Sequence, residues 1–387
     1  MADIRNEFGR ITDEGVADLR RRVGSYYAGG SSVEINPELL IRYAIGMGTH
    51  NSLYRDAAYA NASVHGSLVA FPTFLNAVKH TSGTPVGGLP GVQSFHGGNR
   101  WRWYRHVRPG DVISATYRPS EILEKPSSYA GRMVIVYADV IYMNQDHQLV
   151  GRAGGWSIRT ERGAAREKGK YSSVKKESYS AEDLERVWAA YDGERVRGDE
   201  PRYWENVAVG DKLPPLTKGP LRIIDIGLSG GVGGGSGPVG RGAGGEGSHY
   251  YMFQAYRDHP GYSEPDPETG MPDHPHRGHW EDLMSQLIGV PGAYDVGPQR
   301  AAWMAEVVVN WMGDRAFLAE LDCEFRRFNI EGDTTTVGGT VTDRGVAGDQ
   351  HFVDIEIECQ NQRGEVHAPG RARAILPTKS GEGVVPG

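Results

Sequence analysis

Cysteine and long apolar runs are scarce in this sequence of 387 residues, which contains only Cys323 and Cys359. Two cysteines cannot build a disulfide framework, so we expect a reducing compartment and predict a cytoplasmic protein. The longest apolar runs, such as residues 133–143, are too short to span a bilayer. Residues 1–15 carry charges where a secretion signal needs an apolar segment. These absences argue against a secreted or membrane-embedded protein.

Basic tracts and common cofactor motifs are also missing. The net charge is −7 and no basic cluster offsets it, so we expect no nucleic-acid partner. The sequence has no CxxC or HExxH pattern for a metal and no nicotinamide or flavin fingerprint. The glycine-rich run 229–248 lacks the Gly-Lys-Ser/Thr of a phosphate-binding loop, so we predict a mobile loop there.

Two parts of the sequence repeat each other at an offset near 220 residues. The segment WRWYRHVRPGDVISATYR from Trp101 is echoed by CEFRRFNIEGDTTTVGGTVT from Cys323, so that Gly110-Asp111 corresponds to Gly332-Asp333. Later pairs repeat as well, with Asn144-Gln145 matching Asn361-Gln362. A repeat this long indicates two like domains rather than a solenoid.

Three regions follow from this duplication. We predict an N-terminal domain at residues 1–162, called here the first half, and a C-terminal domain at 203–387, called the second half. Residues 163–202 are charged and contain Ser180-Ala181-Glu182-Asp183, a capping-box pattern, so they are predicted to be a linker with a short helix through Trp188.

The stretch 273–317 holds the densest group of candidate functional residues. A loop with three histidines, His274, His276 and His279, leads through an amphipathic segment to a glycine turn that ends at Gly297. Pro298 suits the first position of the helix that follows, and that helix is apolar on most sides, which is typical of a buried element. Its free N–H groups and dipole could stabilise an oxyanion while nearby acid and base groups move a proton.

A known family shares this spacing. His279 is followed ten residues later by Gly289-Val290-Pro291-Gly292 and eighteen residues later by Gly297. The pattern resembles the MaoC-like hydratases and dehydratases, whose signature is D-x-N-P-x-H, a short helix, G-F-P-G and a glycine that opens the central helix of a hot-dog fold. The acid departs from that signature, because Asp273 lies six residues before His279 instead of five, and His276 replaces the asparagine.

The first half contains a degraded copy of the same signature. Asn51 takes the asparagine position, while Thr49 replaces the aspartate and Tyr54 replaces the histidine. Phe71-Pro72 then leads into a second candidate central helix, predicted at about residues 74–80. Since both acid/base residues are lost, we expect no chemistry in this half.

The resemblance implies an α+β protein with two hot-dog domains in tandem, each a long central helix wrapped by an antiparallel sheet. It is closest to two-domain MaoC-like acyl dehydratases of fatty acid metabolism whose N-terminal domain is of the fatty-acid-synthase (FAS1) dehydratase type. In such proteins the C-terminal copy carries the chemistry, and the degraded copy shapes the acyl pocket.

The implied reaction is reversible hydration of a 2-enoyl thioester, from enoyl-CoA to 3-hydroxyacyl-CoA, with coenzyme A as part of the substrate and no metal or redox cofactor. His279, with Asp273 or Asp295, would activate water and supply the proton, and the N–H of Gly297 would bind the thioester oxygen. Asp295 fits a role as an N-terminal helix cap equally well. Of the two acids we expect Asp273 to be catalytic, because the charge of Asp295 would oppose the oxyanion.

Other interpretations of the same residues remain open. A hot-dog thioesterase would direct water at C1 instead of C3, and a non-catalytic subunit would bind the acyl thioester and need a partner chain. The His-rich loop could also bind a metal or be an ordinary surface loop. The expected assembly is a homodimer or a hetero-oligomer.

Overall fold

The computed structural model describes residues 9–28, 32–81, 89, 91–171, 173–233, 249–258, 263–273, 275–381 and 386. Its helices are α1 (Asp13–Arg21), α2 (Pro37–Gly46), α3 (Ala57–Ala62), α4 (Leu75–Val78), α5 (Arg162–Lys168), α6 (Ala181–Asp192), α7 (Ile223–Gly233), α8 (His249–Asp258), α9 (Asp282–Leu287) and α10 (Gly297–Met312). Single 3₁₀ turns cover Ser52–Tyr54, Pro72–Phe74, Trp204–Asn206 and Pro275–His279. Over these residues no helix combines the length and apolarity needed to cross a membrane.

The strands are β1 (Tyr27–Ala28), β2 (Val33–Glu34), β3 (Gln93–Trp103), β4 (Val112–Ser127), β5 (Gly131–Met143), β6 (Leu149–Thr160), β7 (Lys212–Lys218), β8 (Glu264–Pro265), β9 (Pro272–Asp273), β10 (Phe317–Glu324), β11 (Thr335–Ala347), β12 (Gln350–Asn361) and β13 (Val366–Ile375). Eleven of them form one sheet in the order β1-β4-β5-β6-β3-β10-β13-β12-β11-β7, with β2 beside β4. The strands β8 and β9 pair separately.

The two halves meet where β3 pairs with β10, and the register there shows a pseudo-twofold axis. The order β4-β5-β6-β3 in the first half is mirrored by β11-β12-β13-β10 in the second. Asp111 and Asp333 are equivalent, an offset of 222 residues (333 minus 111). Trp101 pairs with Leu321 across the seam between β3 and β10. Their equivalents at this offset are Cys323 and Asn99, and these two residues also pair across the seam. The predicted duplication and double hot-dog fold are confirmed.

The helix α10 is the central helix predicted for the second half. All sixteen of its residues are buried, including the polar Gln299, Arg300, Glu306 and Asn310. It begins with Gly297 and Pro298 as expected, and it ends at Gly313, whose φ of 77° lets the chain turn away. Since α10 packs against β7, β10, β11 and β13 of its own half and against β3 of the first, both halves share it as a core element.

The long central helix predicted for the first half is wrong. Only α4, four residues from Leu75 to Val78, is helical within the predicted segment 74–80. Lys79 is extended, with φ −148° and ψ 119°, and its carbonyl accepts a hydrogen bond of 2.7 Å from the Tyr142 hydroxyl. That bond from β5 holds the chain out of the helix.

The predicted linker contains α6, and its capping box is confirmed. The Ser180 side chain accepts from the backbone N–H of Asp183, and the Asp183 carboxylate accepts from the backbone N–H of Ser180. The helix runs to Asp192, beyond the predicted Trp188. The boundaries 1–162, 163–202 and 203–387 themselves stay predictions.

The glycine-rich run begins inside a helix. Ser229 to Gly233 form the last part of α7, so the prediction of a loop is wrong for these residues. The Ser229 hydroxyl is buried and donates to the carbonyl of Gly46, 2.8 Å away. The rest of the run, 234–248, lies outside the described residues.

We expect the first half to be insoluble when expressed alone as residues 1–162. This fragment would expose the edge of β3, which pairs with β10 in the intact chain, and would lose the apolar cover of α10. Size-exclusion chromatography and amide NMR should show aggregates. A monomeric fragment with a well-dispersed spectrum would contradict the idea that the halves depend on each other.

Candidate active site

His279 is the last residue of the 3₁₀ turn at Pro275–His279, which precedes α9 and the glycine turn. Its Nδ1 lies 2.9 Å from the backbone carbonyl of Tyr294, and the two rings are 4.1 Å apart between centroids. A carbonyl oxygen can only accept, so this contact assigns the proton of a neutral His279 to Nδ1. Nε2 then carries a lone pair that is able to take a proton.

The surroundings of His279 keep its ring neutral. Burial lowers the pKa of His279 to about 3, and the neighbouring His276, whose ring is 4.7 Å away, lowers it further. The contact with the Tyr294 carbonyl acts in the opposite direction but is the smaller effect. At neutral pH His279 is therefore a neutral imidazole of fixed orientation. This is the protonation state in which a general base starts, and a pKa this low makes it a weak base.

Asp273 lies at the end of β9, in a group of charges around Arg277. Its carboxylate is 3.2 Å from the Arg277 guanidinium, which also contacts Asp266 at 2.7 Å and Glu281 at 2.6 Å. Asp273 is only partly buried, in keeping with its place on a loop. A cavity of about 320 Å³ opens beside Arg277 and Trp280, on the outer side of this loop, and none of the four candidate residues lines it.

Asp295 is buried just before α10, but it does not cap the helix. The cap residue is Val296, with no side-chain hydrogen bond, so the interpretation of Asp295 as a helix cap is wrong. Its Oδ2 lies 2.9 Å from Nε of Arg300 and accepts a hydrogen bond of 3.1 Å from Asn329. Burial raises the pKa of Asp295 to about 6, and Arg300 only partly offsets this effect.

A buried polar chain continues from Asp295 behind the start of α10. Asn329 accepts from the Thr335 hydroxyl at 3.3 Å, and that hydroxyl lies 3.0 Å from Nε2 of His367. The Asp295 backbone N–H also donates to the Asn329 carbonyl at 3.0 Å. These bonds fix the turn that carries Tyr294 and therefore the carbonyl that orients His279.

Gly297 opens α10, and its N–H has no acceptor inside the helix at this first position. The space above its Cα is occupied, because an ideal Cβ there would lie 2.5 Å from Nδ1 of His96 and 2.8 Å from Phe325. His96 belongs to β3 of the first half, and its ring is 5.1 Å from that of His80. The sequence analysis did not identify His80 or His96 as candidate site residues. Two signals could have pointed to His96, namely the internal repeat and its position on a strand without an assigned role.

The degraded motif of the first half has a structural role in this fold. Asn51 donates to the side chain of Asn310, near the end of α10, at 2.9 Å. Tyr54 is 4% exposed and packs edge-on against Phe71. Thr49 is buried as well.

Over the described residues no group of three or more His, Cys, Asp or Glu is arranged to hold a metal ion, and His274 lies outside that range.

His106 allows a test of how buried histidines set the acid stability. Its ring packs edge-on against His65 and Phe317, and burial, followed by the charge of His65, lowers its pKa to about 3. In the unfolded chain His106 has an ordinary pKa near 6.5, so it binds a proton more tightly there than in the folded protein. Each pH unit below 6.5 should therefore lower the free energy of unfolding by about 1.4 kcal/mol through this residue. Its repeat counterpart is Phe328 (106 plus 222). We expect His106→Phe to lose less stability than the wild type between pH 7.5 and 5.5 in urea unfolding.

The exposed His147 supplies the control for this measurement. His147→Asn should keep the wild-type loss of stability on acidification. If His106→Phe showed the wild-type pH dependence too, His106 would not be neutral in the folded protein.

Comparisons with known proteins agree with this architecture. Residues 21–152 match the family model for the FAS1-like dehydratase domain region. A UPF0336 protein of Streptomyces griseus subsp. griseus is 27% identical over 118 residues, which cover 29% of this chain and 76% of that protein. A solved MaoC-like dehydratase superimposes with a TM-score of 0.64 at 17% identity, covering 92% of this chain and 99% of the other.

A conserved hypothetical protein of Mycobacterium tuberculosis, described as a double hot-dog fold, superimposes with a TM-score of 0.50 at 11% identity, over 93% of this chain and 97% of that one. At such identities the structural likeness establishes the fold, so this chain is a double hot-dog protein. In its first half, residues 21–152 are similar to the FAS1-like dehydratase domain region.

Proposed function

We propose that the second half catalyses the reversible hydration of a 2-enoyl thioester, with coenzyme A as the acyl carrier. The substrate is then an enoyl-CoA, the product a 3-hydroxyacyl-CoA, and the role belongs to fatty acid metabolism. The observation that carries this proposal is the orientation of His279. Its Nδ1 is tied to the carbonyl of Tyr294, a residue just before α10, which leaves the lone pair of the neutral ring on Nε2.

The proposed step needs one base, one acid and one oxyanion site. His279 Nε2 takes a proton from water as the water oxygen bonds to C3. The electron pair of the C2–C3 double bond moves toward the thioester oxygen, which the Gly297 N–H and the helix dipole stabilise. The acid then delivers a proton to C2 and regains one from the protonated His279, so both groups return to their starting states. The sum is addition of water, so no metal or redox cofactor enters the scheme.

A panel of enoyl-CoA thioesters tests the reaction directly. We expect loss of the enoyl absorbance without release of free thiol. Thiol release would indicate a thioesterase instead, and binding without either change would indicate a non-catalytic acyl-thioester subunit. The proposal includes a cytoplasmic location and a homodimeric or hetero-oligomeric assembly.

The acid that accompanies His279 is assigned by comparing two variants. Asp273→Asn should lower kcat about 10²-fold, the effect of losing the acid/base partner of His279, and should leave the fold intact. The fold survives because Arg277 keeps its contacts with Asp266 and Glu281. The measurement is the turnover rate together with the melting temperature.

Asp295→Asn should keep most of the activity, since the Asp295 carboxylate is engaged by Arg300 and Asn329. Because the pKa of Asp295 is raised to about 6 in the folded protein, ionisation of this carboxylate lowers the free energy of unfolding as the pH rises from about 4 to about 6. Relative to the wild type, the stability of this variant should therefore rise over that range. An inactive but stable Asp295→Asn beside an active Asp273→Asn would reverse the assignment.

A further inference from the structure

His96 lies on β3 of the first half, yet its imidazole covers the first residue of α10 in the second half. A Cβ on Gly297 would come within 2.5 Å of its Nδ1, so the ring is seated where only glycine leaves room for it. The ring also meets Phe325 edge-on, with centroids 5.0 Å apart. The first half therefore packs an imidazole against Gly297, the residue that opens α10.

The two ring nitrogens of His96 are shielded from solvent, and neither forms a hydrogen bond of good geometry with a described residue. The Gly98 backbone and the Asn99 side chain lie near enough to raise its pKa, but by less than burial lowers it. A buried polar group without a partner costs free energy, so its presence needs a reason. Burial lowers the pKa of His96 well below its usual value, and His80 and Arg300 lower it further. The ring is therefore neutral and offers one N–H donor at a fixed position.

We propose that His96 is a catalytic residue supplied by the first half, whose ring N–H donates a second hydrogen bond to the thioester oxygen bound at Gly297. The inference rests on the proposed function, since it concerns the same reaction. Negative charge grows on this oxygen as water adds at C3, and a fixed donor in a buried site stabilises that charge more than the ground state. His96 keeps its proton throughout, so the proton balance between His279 and its acid is unchanged.

The internal repeat supplies a matched substitution. At the offset of 222 residues, His96 corresponds to Leu318, a buried residue of β10. The equivalent strand position thus accepts leucine, and His96→Leu should fold. His96→Gln retains a side-chain N–H donor and serves as the conservative variant.

We expect His96→Leu to lower kcat about 10²- to 10³-fold, as for the loss of one oxyanion donor, with little change in KM. His96→Gln should retain more of the activity than His96→Leu. A residue with only a packing role would lower the melting temperature instead, and glutamine would not restore the rate better than leucine.

A spectroscopic measurement separates polarisation of the carbonyl from turnover. In the His279→Ala protein a conjugated dienoyl-CoA should bind without reacting, and its absorption maximum should move to longer wavelength because the site polarises its carbonyl. In His279→Ala/His96→Leu this shift should be smaller. An identical shift in both proteins, or an undiminished kcat in His96→Leu, would overturn the role of His96.

Failure of the proposed function is recognised in the wild type alone. If the wild type neither binds nor hydrates any thioester of the panel, the proposed reaction fails, and the role of His96 in it fails as well. An active wild type beside an equally active His96→Leu overturns only the inference about His96.

Discussion

Replacing His279 by alanine should lower the turnover of an enoyl thioester by about 10²- to 10⁴-fold, the usual contribution of a positioned acid or base. The structure supplies the reason, since Nδ1 of His279 is bonded to the Tyr294 carbonyl and burial keeps the ring neutral. The measurement is kcat for the variant and the wild type under saturating substrate.

Tyr54→Phe is the matched control, because Tyr54 occupies the equivalent position in the degraded motif. Its hydroxyl belongs to a buried side chain that packs against Phe71, so its loss should change turnover by no more than a few-fold. If Tyr54→Phe were more damaging than His279→Ala, the chemistry would lie in the first half and our assignment would be wrong.

The largest effect on stability is expected at Lys218, whose ammonium group lies 2.6 Å from the carboxylate of Glu306 in the middle of α10. The two side chains are 9% and 1% exposed. Lys218→Met keeps the apolar stem but leaves a carboxylate buried without its cation, which should cost about 3–5 kcal/mol in the free energy of unfolding. Urea unfolding at pH 8 measures this loss.

Two further variants check this explanation. Arg118→Met breaks an ion pair with Asp139 in which both side chains are about 40% exposed, and it should cost less than about 1 kcal/mol. Lys218→Met/Glu306→Gln removes both buried charges and should recover part of the loss. A single Lys218→Met variant no less stable than Arg118→Met would show that the buried pair is not a source of stability.

The duplication and the central helix were predictable because their signals are local and repeated. Equivalent turn residues at Gly110-Asp111 and Gly332-Asp333 marked equivalent strands, and Pro298 marked the start of an apolar helix. The short helix α4 was not predictable in the same way. Its end depends on a hydrogen bond from Tyr142, which lies on a strand more than sixty residues later.

The site was predictable only where the chain itself brings its parts together. The spacing predicted that Gly297 opens the central helix, which the structure confirms, and His279 contacts the carbonyl of Tyr294 just before that helix. The contribution of His96 depends on the pairing of β3 with β10, which no local pattern encodes. The interpretation of Asp295 as a helix cap was wrong because its carboxylate is bound by Arg300 and Asn329 instead of the helix N–H groups.

The seam between β3 and β10 also determines how this protein responds to dilution. Two hot-dog domains on separate chains associate with a dissociation constant, so their shared sheet is lost at low protein concentration. Here both halves belong to one chain, with a linker predicted at residues 163–202. The effective concentration of each half near the other is therefore set by that tether rather than by the number of molecules in solution. The seam between the halves, and any site built across it, should therefore persist at nanomolar protein concentrations as it does at micromolar ones.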